Sequence, residues 1–260
     1  MSLPSAAELE RVLLNAVDRE PDSELVDRPD WVQIKTPSSP RPNHNIVLRA
    51  QLAPDEVDAT VAAVVAEHRA RDAKLRWFIG PSSSPAELGV AVQAAGLTPL
   101  GDTLGMAMLV PDVAPPLGIA GLTVHEMGPQ DVGTFAALTA RAWERGSDFE
   151  EALLHIAGKS FQEPRATRSW IASLDGVPVA SSHLRLLPGI GYFQGCAVLP
   201  AYRGRGIYRA LLHHRLGELR SRGIRVAVVW ADATGSGIAC LKLGFATVCT
   251  AQFYEAQDEQ

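Results

Sequence analysis

The stretch VLPAYRGRGIYRALLHHRL, residues 198–216, places two glycines and two arginines where an apolar run ends and a helical pattern begins. The first N–H groups of a helix have no intrahelical acceptor, and that end of the helix carries partial positive charge. Glycines in the preceding turn let these N–H groups converge on an anion with no side chain in the way. Because Arg203 and Arg205 add charge beside them, the stretch predicts a phosphate or diphosphate site at a strand-to-helix junction.

The residues on either side of the turn distinguish this anion site from an ordinary surface turn. An isolated RGRG would be better explained as a surface turn with solvated arginines. Here Pro200 ends an apolar strand and a helical pattern over 207–222 follows, which favours the anion site. The chain has no Gly-x-Gly-x-x-Gly, which disfavours a Rossmann dinucleotide site, and no Gly-Lys-Ser/Thr, which disfavours nucleotide hydrolysis.

The rest of the C-terminal half alternates strands and helices. The predicted elements are, in order, a strand at 122–127, helices at 131–143 and 149–158, strands at 168–175, 177–187 and 191–199, the helix at 207–222, a strand at 226–231, a helix ending at Gly244, and a strand at 245–256. Asp175-Gly176 is a hairpin turn signal. The run 226–231 has no polar alternation, which is typical of a central parallel strand buried on both faces.

The N-terminal half has a shorter version of this order. Its predicted elements are a strand at 45–52, a helix at 55–72, a strand at 75–80, a helix that starts at the capping-box spacing Ser84–Glu87 and stops at Gly96, and a strand at 103–110. Each half closes with a Trp-bearing strand, a helix ended by glycine and a final strand, which indicates a duplicated unit. The alternative, that many α/β domains share this order, stays open.

The two halves meet at PDVAPPLGIAGL, residues 111–122, which is rich in Pro and Gly and has no period. Such a segment is typical of a linker. The chain of 260 residues also exceeds the usual domain size of roughly 100–150 residues, which favours two domains. We therefore predict domains at 1–112 and 122–260, joined by a linker at 113–121.

Composition limits the classes of function. The formal net charge of −5 argues against a nucleic-acid-binding surface. The three cysteines form no CxxC pair, and their odd number argues against a disulfide framework or a zinc site, so no metal is expected. The N-terminus lacks the pattern of a signal peptide, and no apolar run approaches the ~18 residues of a membrane span. The expectation is a cytoplasmic protein that binds neither membrane nor nucleic acid.

The segment CAVLPAYRGRGIYRALL, followed by an apolar strand and then by LKLGF, resembles the acetyl-coenzyme A (acetyl-CoA) site of the GNAT N-acetyltransferases. That family's signature is Gln/Arg-x-x-Gly-x-Gly/Ala after a strand that ends near Val-x-Pro. The resemblance covers about 122–256 and departs at Tyr208, where the family usually has Gly or Ala. It implies an α/β fold with a mixed sheet flanked by helices. The whole chain is similar to tandem members whose N-terminal half keeps the fold without the signature.

The resemblance implies a set of coenzyme-binding residues. The backbone of the strand before the turn would contact the pantetheine arm, and the turn and helix start would hold the diphosphate. These residues are Cys196, Ala197 and Val198 in the strand, and Arg203, Gly204, Arg205, Gly206, Ile207 and Tyr208 in the turn and helix. The implied reaction is direct attack of an amine, from a small molecule or a peptide, on the thioester of acetyl-CoA. The N-terminal junction QLAPDEV, 51–57, has no glycine and carries two carboxylates, so it is expected to bind no coenzyme.

The proton-transfer residues are less well defined. Cys240 occupies the position of the tyrosine acid that many family members have, and Tyr192 occupies that of a glutamate base. Cys240 could instead be a small buried packing residue. His183 and the carboxylates Glu144, Glu150 and Glu151 lie in regions that border the site in this family, but structural roles explain them as well. The missing tyrosine and glutamate leave a second function open, that of a catalytically weak protein that senses acetyl-CoA.

Overall fold

The structure, a computed structural model, describes residues 2–112, 118–161 and 166–256. The strands of this part of the chain are β1 (Glu24–Arg28), β2 (Trp31–Lys35), β3 (Ile46–Leu48), β4 (Arg76–Ile79), β5 (Leu97–Leu109), β6 (Leu122–Glu126), β7 (Thr167–Leu174), β8 (Val177–Leu187), β9 (Ile190–Tyr192), β10 (Cys196–Val198), β11 (Val226–Asp232) and β12 (Ala246–Ala256). The α-helices are α1 (Ala6–Ala16), α2 (Val57–Arg69), α3 (Leu88–Ala94), α4 (Val132–Ala142), α5 (Ser147–Lys159), α6 (Ile207–Ser221) and α7 (Ser236–Lys242).

The chain forms two compact units. The central unit contains Ala107–Trp230, and the terminal unit contains Pro4–Met106 together with the chain from Ala231 onward. This division differs from the predicted boundaries, because β12 pairs antiparallel with β4 of the N-terminal half, with Phe253 opposite Phe78. Of the predicted linker, 113–117 lies outside the described residues. The assignment of each half to its own GNAT-like domain stays a prediction.

The sheet of the central unit has the strand order β6-β7-β8-β9-β11. Strands β6 to β9 are antiparallel, and β9 pairs parallel with β11. The β7–β8 hairpin turns at Asp175 and Gly176, whose φ angles are 50° and 81°, so the predicted turn is confirmed. The prediction for β11 is also confirmed, because Val226–Val229 are buried and the strand has a parallel neighbour.

Helices cover both faces of this sheet. Phe135 and Leu138 of α4 form a buried cluster with Ala197, whereas Ile207 and Leu211 of α6 form one with Val198. Neighbouring residues of a strand point to opposite faces, so α4 and α6 lie on opposite sides of β10. This arrangement leaves the N-terminus of α6 at the end of the strand that leads into the glycine turn.

The sheet of the terminal unit has the order β1-β2-β3-β4-β12-β5. Its core contains Val57, Val61 and Val65 of α2 together with Trp31 and Trp77, whose rings meet edge to face at 5.7 Å. The helix predicted at 55–72 is present as α2, Val57–Arg69. Strand β5 begins at Leu97, earlier than the predicted residue 103.

The predicted capping box of α3 is wrong. The helix begins at Leu88 with Glu87 as its N-cap, and no side chain caps it. Ser84 instead takes part in backbone pairing, since its N–H donates to Ala50 and its carbonyl accepts from Leu52. Backbone hydrogen bonds with Ala50 and Leu52 therefore replace the local capping interaction.

Candidate functional site

A break in the sheet of the central unit forms the site. The predicted single strand 191–199 is two strands, β9 and β10, separated by Phe193, Gln194 and Gly195. Tyr192 lies opposite Arg185 of β8, and Cys196 lies opposite Ser182. Three residues therefore face two across the ladder, which defines a β-bulge. After the bulge the chain separates from β11. Strand β9 pairs with β11, whereas β10 pairs, within the described part of the sheet, with β8 alone.

The register of β10 determines which backbone groups face this break. Gly195 accepts a hydrogen bond from His183 at 2.9 Å, and Leu199 donates to Val179 at 3.0 Å. Because hydrogen-bonded positions alternate along an antiparallel pair, the N–H and C=O groups of Ala197 also point to β8. Those of Cys196 and Val198 point away from it. We call this side of β10 the outer edge. The backbone of Ala197 pairs with β8, and its role in coenzyme binding stays a prediction.

The turn between β10 and α6 contains two glycines with positive φ, Gly204 at 78° and Gly206 at 81°. Gly206 is the N-cap residue of α6. Within the described residues, the backbone N–H groups of Gly204, Arg205, Gly206 and Ile207 have no hydrogen-bond acceptor. Such N–H groups at a helix start suit an anion. We call these four groups the cradle.

The cradle has room for a ligand. A Cβ atom on Gly204 would meet nothing within 4 Å, and one on Gly206 would lie 3.6 Å from Cδ1 of Ile119, an ordinary contact distance. Arg205 is exposed, and its guanidinium lies 5.2 Å from the ring of Tyr202. Tyr208, where the family usually has Gly or Ala, is half-buried and packs against the cluster around Ile207 and Leu211. These positions leave the space beside the glycines open.

Arg203 points away from the cradle. Its Nη2 donates to the carbonyl of Ala142 at 2.7 Å, and its Nε donates to that of Val198 at 3.2 Å. The guanidinium thus satisfies the last carbonyls of α4 and β10. Both arginines are exposed, but the guanidinium of Arg203 donates to two carbonyls, whereas that of Arg205 makes one long hydrogen bond, 3.4 Å to the carbonyl of Ala201.

His183 lies beside the bulge, on the face of β8 that α4 covers. Its Nδ1 is 2.8 Å from Oγ of Ser169, and its ring meets Phe135 edge to face at 4.5 Å. The opposite ring edge, at Cδ2, is 3.3 Å from the place that a Cβ on Gly195 would occupy. Burial, together with the charge of Arg215, lowers the pKa of His183 to about 4. The imidazole is therefore neutral at physiological pH.

An aromatic pair that the sequence did not single out lies at the same bulge. The ring of Trp143 would contact a Cβ on Gly195 at 3.2 Å, and 40% of this residue is exposed. Phe149 lies 5.7 Å from Trp143, and the guanidinium of Arg145 lies 5.5 Å from the ring of Phe149. Glycine at 195 permits the close approach of the indole to the strand.

The two predicted proton-transfer residues lie in different units. Tyr192 is the last residue of β9, immediately before the bulge, and is 7% exposed. Cys240 belongs to α7 of the terminal unit and is fully buried. Its carbonyl accepts hydrogen bonds from Leu243 and Phe245, which close the helix. Neither position assigns a catalytic role by itself.

The junction 51–57 of the terminal unit contrasts with the cradle. Three of its six N–H groups are engaged: Gln51 donates to Asp30, Leu52 to Ser84 and Glu56 to Ala53. Pro54 has no N–H group. The start of α2 therefore lacks the continuous run of four available donors that the start of α6 presents.

Other kinds of site are not seen in the part of the chain that the structure describes. No group of three or more His, Cys, Asp or Glu side chains there could hold a metal ion. None of the described helices combines the length and the apolarity needed to cross a bilayer.

Residues 135–245 match the family model described as the acetyltransferase (GNAT) family. The matched segment includes the bulge, the outer edge, the cradle and α6. Residues 135–245 are therefore a GNAT acetyltransferase domain, and the resemblance seen in the sequence is confirmed. A search of the curated proteins found no sequence match.

Solved structures share the fold at low sequence identity. A GCN5-related N-acetyltransferase from Kribbella flavida has a TM-score of 0.70 and 17% identity, and covers 99% of this chain and 98% of its own. A functionally unknown conserved protein from Staphylococcus epidermidis has a TM-score of 0.73 and 11% identity, over 92% of this chain and 95% of its own. A tandem GNAT protein from the clavulanic acid biosynthesis pathway has a TM-score of 0.57 and 16% identity, over 100% and 92%. The predicted fold class, a mixed α/β sheet flanked by helices, is confirmed.

Proposed function

We propose that the central unit binds acetyl-CoA and that the protein transfers the acetyl group to an amine of a small molecule or a peptide. The family and the fold support acetyl transfer in general. The observation that carries the proposal is the cradle, four backbone N–H groups with no acceptor among the described residues, at the start of α6. This is the arrangement that a diphosphate requires.

The residues around the break suit the remainder of the coenzyme. Along the outer edge, the backbone groups of Cys196 and the N–H of Val198 point away from β8, which suits pairing with the amide groups of the pantetheine arm as in an added strand. The carbonyl of Val198 already accepts a hydrogen bond from Arg203. Arg205 supplies charge next to the diphosphate. Ala197 would contribute through its place in the core, since its backbone pairs with β8.

Acetyl-CoA supplies a thioester, whose C–S bond breaks as the amine nitrogen forms a C–N bond to the carbonyl carbon. The protein's main task is to hold the amine close to that carbon, which can supply much of the rate enhancement. One proton must leave the nitrogen, and one must reach the thiolate of the departing coenzyme. Cys240 is the predicted proton donor to the thiolate. Solvent or a substrate carboxylate would accept the proton of the amine.

A second function is favoured by a specific observation. Tyr192, at the position of the family's glutamate base, is a buried phenol, and Cys240 is a fully buried thiol in place of tyrosine. A phenol, with an ordinary pKa of about 10, is a poor base near neutral pH, and the family's usual tyrosine acid is absent at position 240. A protein that binds acetyl-CoA through the cradle and turns it over slowly would serve as a sensor.

Thiol release from acetyl-CoA, measured against a panel of small amines and N-terminal peptides, separates the two functions. Amine-dependent release supports the transferase. Binding of acetyl-CoA by calorimetry, without release above the hydrolysis background, supports the sensor. Absence of binding would overturn both, and the matched Gly206→Asp variant reports whether any binding uses the cradle.

A further inference from the structure

Arg215 of α6 is a charged residue inside the core of the central unit. It is 1% exposed, and its neighbours along the helix, Leu212, Leu216 and Leu219, are buried apolar residues. Its guanidinium carbon lies 4.4 Å from the ring centroid of Phe193. No carboxylate in the described part of the chain forms an ion pair with it, and its Nε has no acceptor there. A buried cation without a counter-charge is costly, so its presence needs a specific cause.

The hydrogen bonds of Arg215 supply that cause. Its Nη1 donates to the carbonyl of His183 at 2.9 Å and to that of Gln194 at 3.1 Å. Gln194 belongs to the bulge, and His183 is one of the two residues opposite it. An extra residue in one strand disrupts the ladder, and a buried carbonyl without a donor is unfavourable. The side chain of Arg215 thus donates to one carbonyl in the bulge and to one in β8 opposite it.

These two bonds lie where the chain leaves β11. The N–H of Phe193 donates to Val228 at 2.8 Å, so this residue is still held to β11. Gly195, two residues later, is held to β8 instead. Arg215 contacts the backbone between these two points. The course of the bulge sets the position of Cys196 and therefore the direction of the outer edge.

We propose that Arg215 is a positioning residue that fixes the bulge and, through it, the outer edge of β10 on which coenzyme binding depends. This inference rests on the proposed function. Arg215 acts through Gln194 and the strand that follows, while the cradle holds the diphosphate. The same guanidinium lies close enough to His183 to lower its pKa, so the pKa of His183 should change when this charge is removed or moved.

The test compares Arg215→Met, which keeps an unbranched apolar stem and removes the charge and the donors, with Leu216→Ala on the same helix. Leu216 is also 1% exposed but donates no hydrogen bond to the bulge. The readouts are the affinity for acetyl-CoA by calorimetry, the unfolding midpoint, and the pKa of His183 by NMR. We expect Arg215→Met to lower the affinity at least tenfold and to raise the pKa of His183. Leu216→Ala should reduce the unfolding midpoint yet change the affinity of the folded protein less than threefold.

Arg215→Lys keeps the proposal testable if the methionine variant does not fold. A lysine ammonium retains the charge, but its side chain ends one bond short of the position of Nη1, the atom that donates to both carbonyls. We expect an affinity at least threefold below that of the unmodified protein and faster hydrogen exchange of the amides at 194–198. Unchanged affinity and unchanged exchange in folded Arg215 variants would overturn the proposal.

Hydrogen exchange separates this inference from the proposed function. If the unmodified protein binds no acetyl-CoA, the proposed function fails. The positioning role of Arg215 at the bulge is then tested by hydrogen exchange alone. Faster exchange at 194–198 in Arg215→Met than in Leu216→Ala would support the positioning role. Equal exchange in the two variants would refute it.

Discussion

Replacing Gly206 with aspartate should strongly weaken acetyl-CoA binding while leaving a folded protein. Gly206 has φ 81° and ψ 0° as the N-cap residue of α6. A side chain in this left-handed conformation costs about 1–2 kcal/mol. A Cβ would lie 3.6 Å from Ile119, so no clash adds to that cost. Asparagine tolerates the conformation well and has nearly the same shape, so Gly206→Asn is the matched control without the charge.

The difference between the two variants measures the electrostatic effect. A carboxylate about 5 Å from one phosphate charge is repelled by about 0.8 kcal/mol in water and about 3 kcal/mol at an effective dielectric constant of 20. The turn is partly exposed and a diphosphate carries about two charges, so about 2–3 kcal/mol is expected in total. Because about 1.4 kcal/mol corresponds to a tenfold change in Kd, aspartate should bind roughly 30- to 150-fold more weakly than asparagine.

Calorimetric titration with acetyl-CoA, together with urea unfolding of each variant, tests this reasoning. Both variants should lose about 1–2 kcal/mol of unfolding free energy through the strained φ angle. The gap in affinity should narrow as salt is raised, because exposed charges are screened. Equal affinities of the aspartate and asparagine variants in folded protein would show that the diphosphate does not occupy the cradle.

Three further predictions concern other parts of the chain. If Cys240 protonates the leaving thiolate, Cys240→Ala should lower turnover by ~100-fold or more and Cys240→Tyr should retain activity; normal turnover of the alanine variant would make it a packing residue. The unfolding free energy should fall as the pH drops from about 6.5 towards 4, because the folded protein keeps His183 neutral down to about pH 4 while an unfolded histidine binds a proton near 6.5. Unfolding free energies from urea titrations of the unmodified protein and of His183→Gln should diverge in that pH range. Parallel curves would contradict the assignment of this pH dependence to His183. One coenzyme should bind per chain, because the N–H groups of Gln51, Leu52 and Glu56 are already engaged; a second coenzyme at 51–57 would overturn this.

Local patterns in the sequence were sufficient for much of the fold. The period of α2 and the unbroken apolar run of β11 indicate these elements because burial of one helix face or two strand faces requires them. Asp175-Gly176 indicates its hairpin because both residues accept positive φ. The capping box at Ser84 failed because Ala50 and Leu52, more than thirty residues away in the sequence, offered backbone partners instead.

The candidate site was only partly accessible from the sequence. The glycines of the turn point to the cradle because their backbone freedom is a local property. The direction of Arg203 is not local, since its guanidinium reaches Ala142, sixty-one positions earlier. Arg215 lies within an ordinary helical pattern, and the sequence does not indicate which backbone groups its side chain meets. A charged residue on the otherwise leucine-rich face of α6 was the available signal.

The sequence by itself determined where the strand, the glycine turn and the helix of the anion site lie, because φ preferences and hydrophobic periods act over a few residues. Only the tertiary structure decided that residues 191–199 divide into two strands with different partners, and that β12 pairs with β4. Strand pairing joins residues that are far apart in the chain, and its register depends on every neighbour in the sheet. The break in the sheet follows from that pairing, because β9 pairs with β11 whereas β10 pairs with β8.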